Sequence, residues 1–168
     1  MGEAVVTCRS LYGEFQTFIS LQRLREGIRV SRTPFRAVLR VSHPDIDSVE
    51  LAELITRECF FDIGRAVPVL EETSSSLEEV REAAIKVALE HVGKGESFCF
   101  RLHKRGAHSF EAPTPELEYE IGGSIHDALW EKQGERPKVD LSKPDVTVVA
   151  EVLGDRTMVG VVRREWQD

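Results

Sequence analysis

The densest grouping of chemically able side chains in this 168-residue chain is the run Arg101-Leu102-His103-Lys104-Arg105-Gly106-Ala107-His108-Ser109, with Cys99 two residues ahead of it. A thiol near two imidazoles raises nucleophilic chemistry first, because a thiolate needs a base within reach. On a strand, however, Cys99 and His103 stand four residues and about 13 Å apart. Cys99 therefore reads as a structural cysteine beside solvent-facing histidines. What remains is a set of guanidinium, ammonium and imidazole donors around a flexible glycine, which is what RNA phosphates require. Arginine outnumbers lysine sixteen to six over the chain, and a guanidinium binds phosphate in bidentate fashion or stacks on an unpaired base. A basic strand end is also common on any soluble protein, so on these residues alone RNA contact and a plain solvated terminus both stand.

Other constellations fall away one by one. Gly93-Lys94-Gly95 lacks the further glycines and the following helix of a phosphate loop, and Gly122-Gly123 lies inside a helical pattern. Cys8, Cys59 and Cys99 are odd in number and match no zinc spacing. The acid pairs Glu71-Glu72, Glu78-Glu79 and Glu116 with Glu118 read as loops or exposed helix turns, and Asp140 and Asp145 around Lys143-Pro144 as turn and capping residues. The expectation is no catalytic residue, no metal site and no cofactor.

Charge sharpens the picture. The formal net charge of -7 argues against nucleic acid, yet residues 1–44 carry +4 and residues 94–110 carry +3, against -8 for 45–93 and -6 for 111–168. Folding can gather such segments into a basic surface on an acidic body. Free cysteines and the lack of a signal-peptide pattern point to a reducing, cytoplasmic setting. No apolar run approaches the roughly 20 residues that cross a bilayer, so no membrane partner is expected.

The elements that would position the basic run follow from periodicity. Ala4–Cys8 reads as a buried strand. Phe15, Phe18, Ile19 and Leu24 mark a helix over 14–26 that closes at Gly27. Phe35, Ala37, Leu39 and Val41 alternate with Arg36, Val38 and Arg40, the period of a strand with one wet face. Asp47 and Glu50 open a helix through Leu51, Leu54 and Ile55, and residues 65–69 are extended, with Pro68 confining them to an edge. With a short strand near residues 28–31, the order strand, helix, strand, strand, helix, strand predicts a ferredoxin-like unit.

In the remainder, Ser76 with Glu79 is a capping box for a helix reaching Gly93. Phe98, Phe100 and Leu102 share one face of a strand whose other face holds Cys99, Arg101 and His103. Leu117, Ile121, Ile125 and Leu129 mark a helix ending near Gly134. Two strands, 146–153 and 157–162, flank Gly154-Asp155-Arg156 as a hairpin.

Several pieces, in this order, resemble the THUMP family: Ile63-Gly64-Arg65-Ala66-Val67-Pro68-Val69, the helix from Ser76 to Gly93, Ser97-Phe98-Cys99-Phe100-Arg101 with Lys104-Arg105, Glu120-Ile121-Gly122-Gly123, and Val139-Asp140-Leu141-Ser142-Lys143-Pro144-Asp145 before a valine strand. The resemblance implies an α+β protein, with an N-terminal ferredoxin-like domain over 1–70 followed by a THUMP α/β domain over 71–168. It also implies a tRNA-binding role, gripping the acceptor stem and 3′ end and presenting the tRNA to a separate catalytic enzyme. Because no catalytic domain follows in the sequence, the resemblance is greatest to the stand-alone THUMP adaptor of tRNA cytidine N4-acetylation, which is not itself an enzyme. The alternatives are a THUMP subunit for thiolation, methylation or pseudouridylation, or a ferredoxin-like scaffold with no RNA role. RNA contact is carried over to Arg65, Arg101, Lys104 and Arg105, and extends to Lys94 and His108.

Overall fold

The computed structural model describes residues 1–168, and the chain divides into two compact units, Met1–Leu70 with Trp166–Asp168, and Glu71–Glu165. The fold is mixed α and β in both. In the first unit the elements are β1 (Gly2–Cys8), α1 (Glu14–Gln22), β2 (Arg29–Arg32), β3 (Val38–His43), α2 (Ser48–Glu58) and β4 (Ile63–Pro68). They form an antiparallel sheet in the order β2-β3-β1-β4, the ferredoxin-like arrangement. Pro68 lacks a ladder donor and sits on β4, an edge strand paired only with β1. Asp47 accepts from Glu50 N–H at 2.8 Å and starts α2, whose Leu51, Ala52 and Ile55 are fully buried. This apolar stripe packs on β1 and β4.

Two expectations in this unit fail. Helix α1 ends at Gln22, and its buried residues are Thr17 and Leu21, while Phe15 is 66% exposed. Thr17 is drawn inward because its Oγ1 donates to the carbonyls of Gly13 and Asp62 at 2.9 and 3.2 Å. Gly27 lies in the turn beyond the helix at φ +93°, with His43 Nε2 2.9 Å from where a Cβ would stand. The third strand begins at Val38 because Ala37 turns at φ +62°. Both Val38 and Leu39 are therefore buried, and Arg36 falls in the turn.

The second unit contains β5 (Glu71–Ser74), α3 (Leu77–His91), β6 (Ser97–His103), α4 (Thr114–Gln133), β7 (Lys138–Val139), β8 (Val146–Leu153) and β9 (Arg156–Arg163). Its sheet runs β5-β9-β8-β6-β7, with β6 parallel to both neighbours and the β8–β9 and β9–β5 pairs antiparallel. Parallel β6 and β8 need a long crossover, which α4 supplies. Ser76 caps the helix by accepting from Glu79 N–H at 3.3 Å, but the return arm of the expected capping box is not made: the Glu79 carboxylate accepts from the Ser76 hydroxyl, and Ser76 N–H donates to the Ser74 carbonyl. Gly134 ends α4 in the left-handed conformation at φ +74°. Leu117, Ile121, Ile125 and Leu129 are at most 2% exposed, and burying each such side chain stabilises the unit by about 1.5–3 kcal/mol.

Strands β5 and β7 have no counterpart in the sequence periodicity. Glu71 and Glu72, read as loop acids, lie on edge strand β5, where they pair with Lys86 and Arg156. The segment 140–145 works as a clamp. Asp140 Oδ1 accepts from the N–H of Ser142 and Lys143 at 2.9 and 3.0 Å, while Asp145 Oδ2 accepts from Ser97 N–H at 2.9 Å. Asp145 N–H returns to Ser97 Oγ at 2.9 Å, tying the start of β8 to the start of β6.

Candidate nucleic-acid interface

Strand β6 holds its shape because Phe98, Phe100 and Leu102 are at most 3% exposed, while Arg101 and His103 between them reach the half-buried rim. The basic run then leaves the sheet at Lys104. Each of its bases has an internal partner. Arg101 lies 3.3 Å from the Glu118 carboxylate of α4 and donates to the Leu141 carbonyl at 2.7 Å. Glu118, read as a solvated acid, is in fact 16% exposed and accepts from Leu102 N–H at 2.9 Å as well. Lys104 Nζ donates to the Ala112 carbonyl at 3.0 Å. Arg105 lies 2.6 Å from Glu151, a carboxylate on β8 that is fully buried. His108 Nδ1 accepts from Phe110 N–H at 3.2 Å, and the two rings stand 5.6 Å apart.

The six expected contact residues are therefore only partly brought together. Arg101, Lys104, Arg105 and His108 follow one another around the C-terminal end of β6. Lys94 is exposed in the loop before β6, and the seven-residue strand separates it from Lys104 by roughly 20 Å. Arg65 stands half-buried on β4 of the first unit. Arg101 on the second face of β6, and Lys104 and Arg105 just past its end, stand where the strand pattern places them, but each is tied to an internal partner, Arg105 to a buried acid.

Beside Arg101 the sheet edge opens. Strand β7 pairs only with Ser97 and Phe98, and beyond it a cleft of about 430 Å³ is lined by Phe100, Arg101, Tyr119, Gly122, Gly123 and Leu141 among others. Tyr119 and Leu141 on its walls are 86% and 66% exposed. A Cβ added at Gly122 or Gly123 would meet nothing within 4 Å. Gly122 and Gly123 thus give the cleft an open floor.

The thiols offer no activated nucleophile. Burial pushes all three up, Cys59 to about 11, and Cys99 lies 3.8 Å from the hydroxyl of Thr147 rather than beside an imidazole. No three His, Cys, Asp or Glu side chains lie together in a metal-holding group. Asp140 and Asp145 are held below the ordinary carboxylate range, in each case first by the backbone N–H groups they accept.

The first unit carries a feature that periodicity concealed. Tyr12, Phe61, Phe15, Leu11 and Phe60 are 89, 84, 66, 54 and 40% exposed. Guanidinium groups lie against two of these rings, Arg9 at 5.5 Å from Phe60 and Arg36 at 5.8 Å from Tyr12. The visible signal was the seven arginines without a lysine in residues 1–44. The apolar spacing of 15–24 places Phe15 in the core, whereas the structure leaves it exposed.

The THUMP domain profile matches residues 74–162, more than half of the chain, and the chain belongs to that family. Among curated relatives, the tRNA sulfurtransferase of Vibrio campbellii is 31% identical over 133 residues, covering 75% of this chain and 26% of the relative. The tRNA (guanine(6)-N2)-methyltransferase of Archaeoglobus fulgidus is 28% identical over 126 residues, covering 67% of this chain and 32% of the relative. The crystal structure of TrmN from Thermus thermophilus shares the fold at a TM-score of 0.61 and 23% identity, over 95% of this chain and 44% of that one. The chain thus spans about a quarter to a third of the length of these curated relatives. No helix is long and apolar enough to cross a membrane.

Proposed function

We propose that this chain is a tRNA-binding module that grips the acceptor stem and 3′ end of tRNA and presents the tRNA to a separate RNA-modifying enzyme, in the first place a tRNA cytidine N4-acetyltransferase. The observation that carries the tRNA reading is the THUMP match over 74–162, with two relatives named for tRNA modification beside it. The acetyltransferase assignment rests on the resemblance of the motif layout to the stand-alone adaptor. Lys94, Arg101, Lys104 and His108 are the proposed RNA contacts of the second unit and Arg65 that of the first. Arg105 contributes through position, holding the strand end by its pair with Glu151. The chain itself supplies no transfer chemistry in this reading.

The test is reconstitution. The full chain should shift labelled deacylated tRNA on its own and stimulate cytidine acetylation when added to a tRNA acetyltransferase with acetyl-coenzyme A. Binding without stimulation removes the acetyltransferase partner. The names of the relatives favour a second reading, a THUMP subunit for thiolation or methylation, and the same assay with sulfur and methyl donors decides between them.

A further inference from the structure

The exposed rings of the first unit form one patch, because the backbone gathers the loops that carry them. Loop 9–13 leaves β1 at one end of the sheet, and the order β2-β3-β1-β4 sets loop 33–37 on one side of it and loop 59–62 on the other. Cys8 N–H donates to the Ala37 carbonyl at 2.9 Å and Arg9 N–H to the Asp62 carbonyl at 3.2 Å, closing both seams. Helix α1 starts in the same corner, tied to it where the Thr17 hydroxyl reaches the Asp62 carbonyl, and Phe15 stands on its first turn. Phe60 and Phe61 pack edge to face with centroids 5.5 Å apart.

The size of this patch is that of an interface. The exposures of Tyr12, Phe61, Phe15 and Phe60 add to nearly three whole rings, and Leu11 is half exposed, which together is on the order of 600 Å² of apolar side chain. That stands at the top of the range of about 300–600 Å² for the largest apolar patch of a monomer. Each side of a stable interface contributes about 800 Å², so these five residues supply most of one.

The charges decide what fits. The three loops and the residues that flank them carry three bases, Arg9, Arg32 and Arg36, and three acids, Glu14, Glu58 and Asp62. With no net charge, this end does not favour a polyanion. The Arg9 guanidinium is engaged by the Phe60 and Ile63 carbonyls and the Phe60 ring, and that of Arg32 by Glu14 and the Phe18 ring. The other charges are segregated. Arg36 lies on one side of the patch, over Tyr12 at 5.8 Å, and Glu58 and Asp62 are exposed on the other. A surface with an apolar middle, a base at one end and acids at the other is complementary to its own copy turned by half a turn.

We propose that the loop end of the first unit is a twofold interface between two copies of this chain, with Tyr12 and Phe61 packed across the axis and Arg36 facing Glu58 and Asp62 of the second copy at the rim. The dimer holds whether or not the chain binds tRNA. The test is the mass of the full chain in solution, followed by equilibrium sedimentation from low to high micromolar concentration. Wild type should show a monomer–dimer equilibrium that saturates at two copies. Tyr12→Ala with Phe61→Ala should raise the dissociation constant by at least about a hundredfold, since central aromatic anchors carry most of an interface's energy. A melt checks that this variant is folded. Arg36→Glu, at an exposed site, should weaken the dimer by about tenfold or more by setting like charges together. Adding Glu58→Arg and Asp62→Arg in the same chain reverses both ends and should restore it.

A wild type that stays monomeric at every concentration would overturn the inference and leave the patch to a different protein. A dimer that survives both ring replacements would also overturn it, since the contact would then lie elsewhere. Association that runs on past two copies would do the same, because a twofold contact closes. An Arg36→Glu loss that the added arginines do not repair would overturn the twofold pairing of the rim.

Discussion

The basic end of β6 and the loop end of the first unit carry the same kind of residue in different circumstances, and the contrast is sharpest between Arg105 and Arg36. Around β6 the bases are tied down: Arg101 by Glu118 and the Leu141 carbonyl, Lys104 by the Ala112 carbonyl, Arg105 by the buried Glu151. At the loop end Arg36 lies over the exposed ring of Tyr12, whereas Arg9, over Phe60, is also held by the Phe60 and Ile63 carbonyls. A positive run in a sequence therefore does not say whether its charge is available. The partner across the fold decides, and a carboxylate 46 residues away turns a candidate phosphate ligand into a structural brace.

The largest expected effect breaks or upholds that contrast at its sharpest point. Arg105→Glu sets a second carboxylate against a fully buried one, so stability should fall by about 3–5 kcal/mol, read from the denaturant midpoint. A near-native midpoint would mean that Arg105 is as free as Arg36. Arg101→Ala comes next. It leaves the poorly exposed Glu118 with Leu102 N–H as its remaining partner, which should cost about 1–3 kcal/mol.

Gly122→Ala should act in the other direction. The site is open and helical, so alanine should add about 0.5–1 kcal/mol in a thermal melt. No gain would mean that the glycine pair is already covered by a neighbour. Lys94→Ala is the smallest in stability, within about 0.5 kcal/mol, since the side chain is exposed. Its effect should appear only in RNA affinity.

Acidity probes the clamp that tethers β6. Asp145 titrates below the ordinary carboxylate value when folded, chiefly because it accepts from Ser97 N–H, with a further contribution from Arg164. A depressed folded value means that the unfolded chain binds the proton first as pH falls. The stabilisation is therefore complete above the ordinary carboxylate pKa of about 3.9 and is lost as pH drops through the folded value. Melts between pH 6 and 3 should show this loss, and Asp145→Asn should flatten it.

Much of the fold was legible because local pattern and tertiary packing agree. Leu117, Ile121, Ile125 and Leu129 repeat every four residues and all four are buried, and Ser76 caps its helix through Glu79 N–H as its position implies. Where pattern and packing disagreed, the sequence misled. Phe15 and Phe18 fit a helical stripe, yet Thr17 goes inside because two backbone carbonyls await its hydroxyl. Strands β5 and β7 are only four and two residues long, too short for a periodic trace, and their pairing comes from β9 and β6. At the site the bases were visible and their partners were not. Glu118 and Glu151 lie 17 and 46 residues from the arginines they hold, a separation that no local pattern spans.

Titration of the full chain with labelled deacylated tRNA over a range of salt concentrations tests the central claim most directly. The account predicts saturable binding whose log affinity falls linearly with log salt, by roughly 0.7–0.9 for each phosphate neutralised, with Lys94→Ala reducing that slope by about one such step. No saturable binding at low salt, or an affinity indifferent to salt, would contradict it.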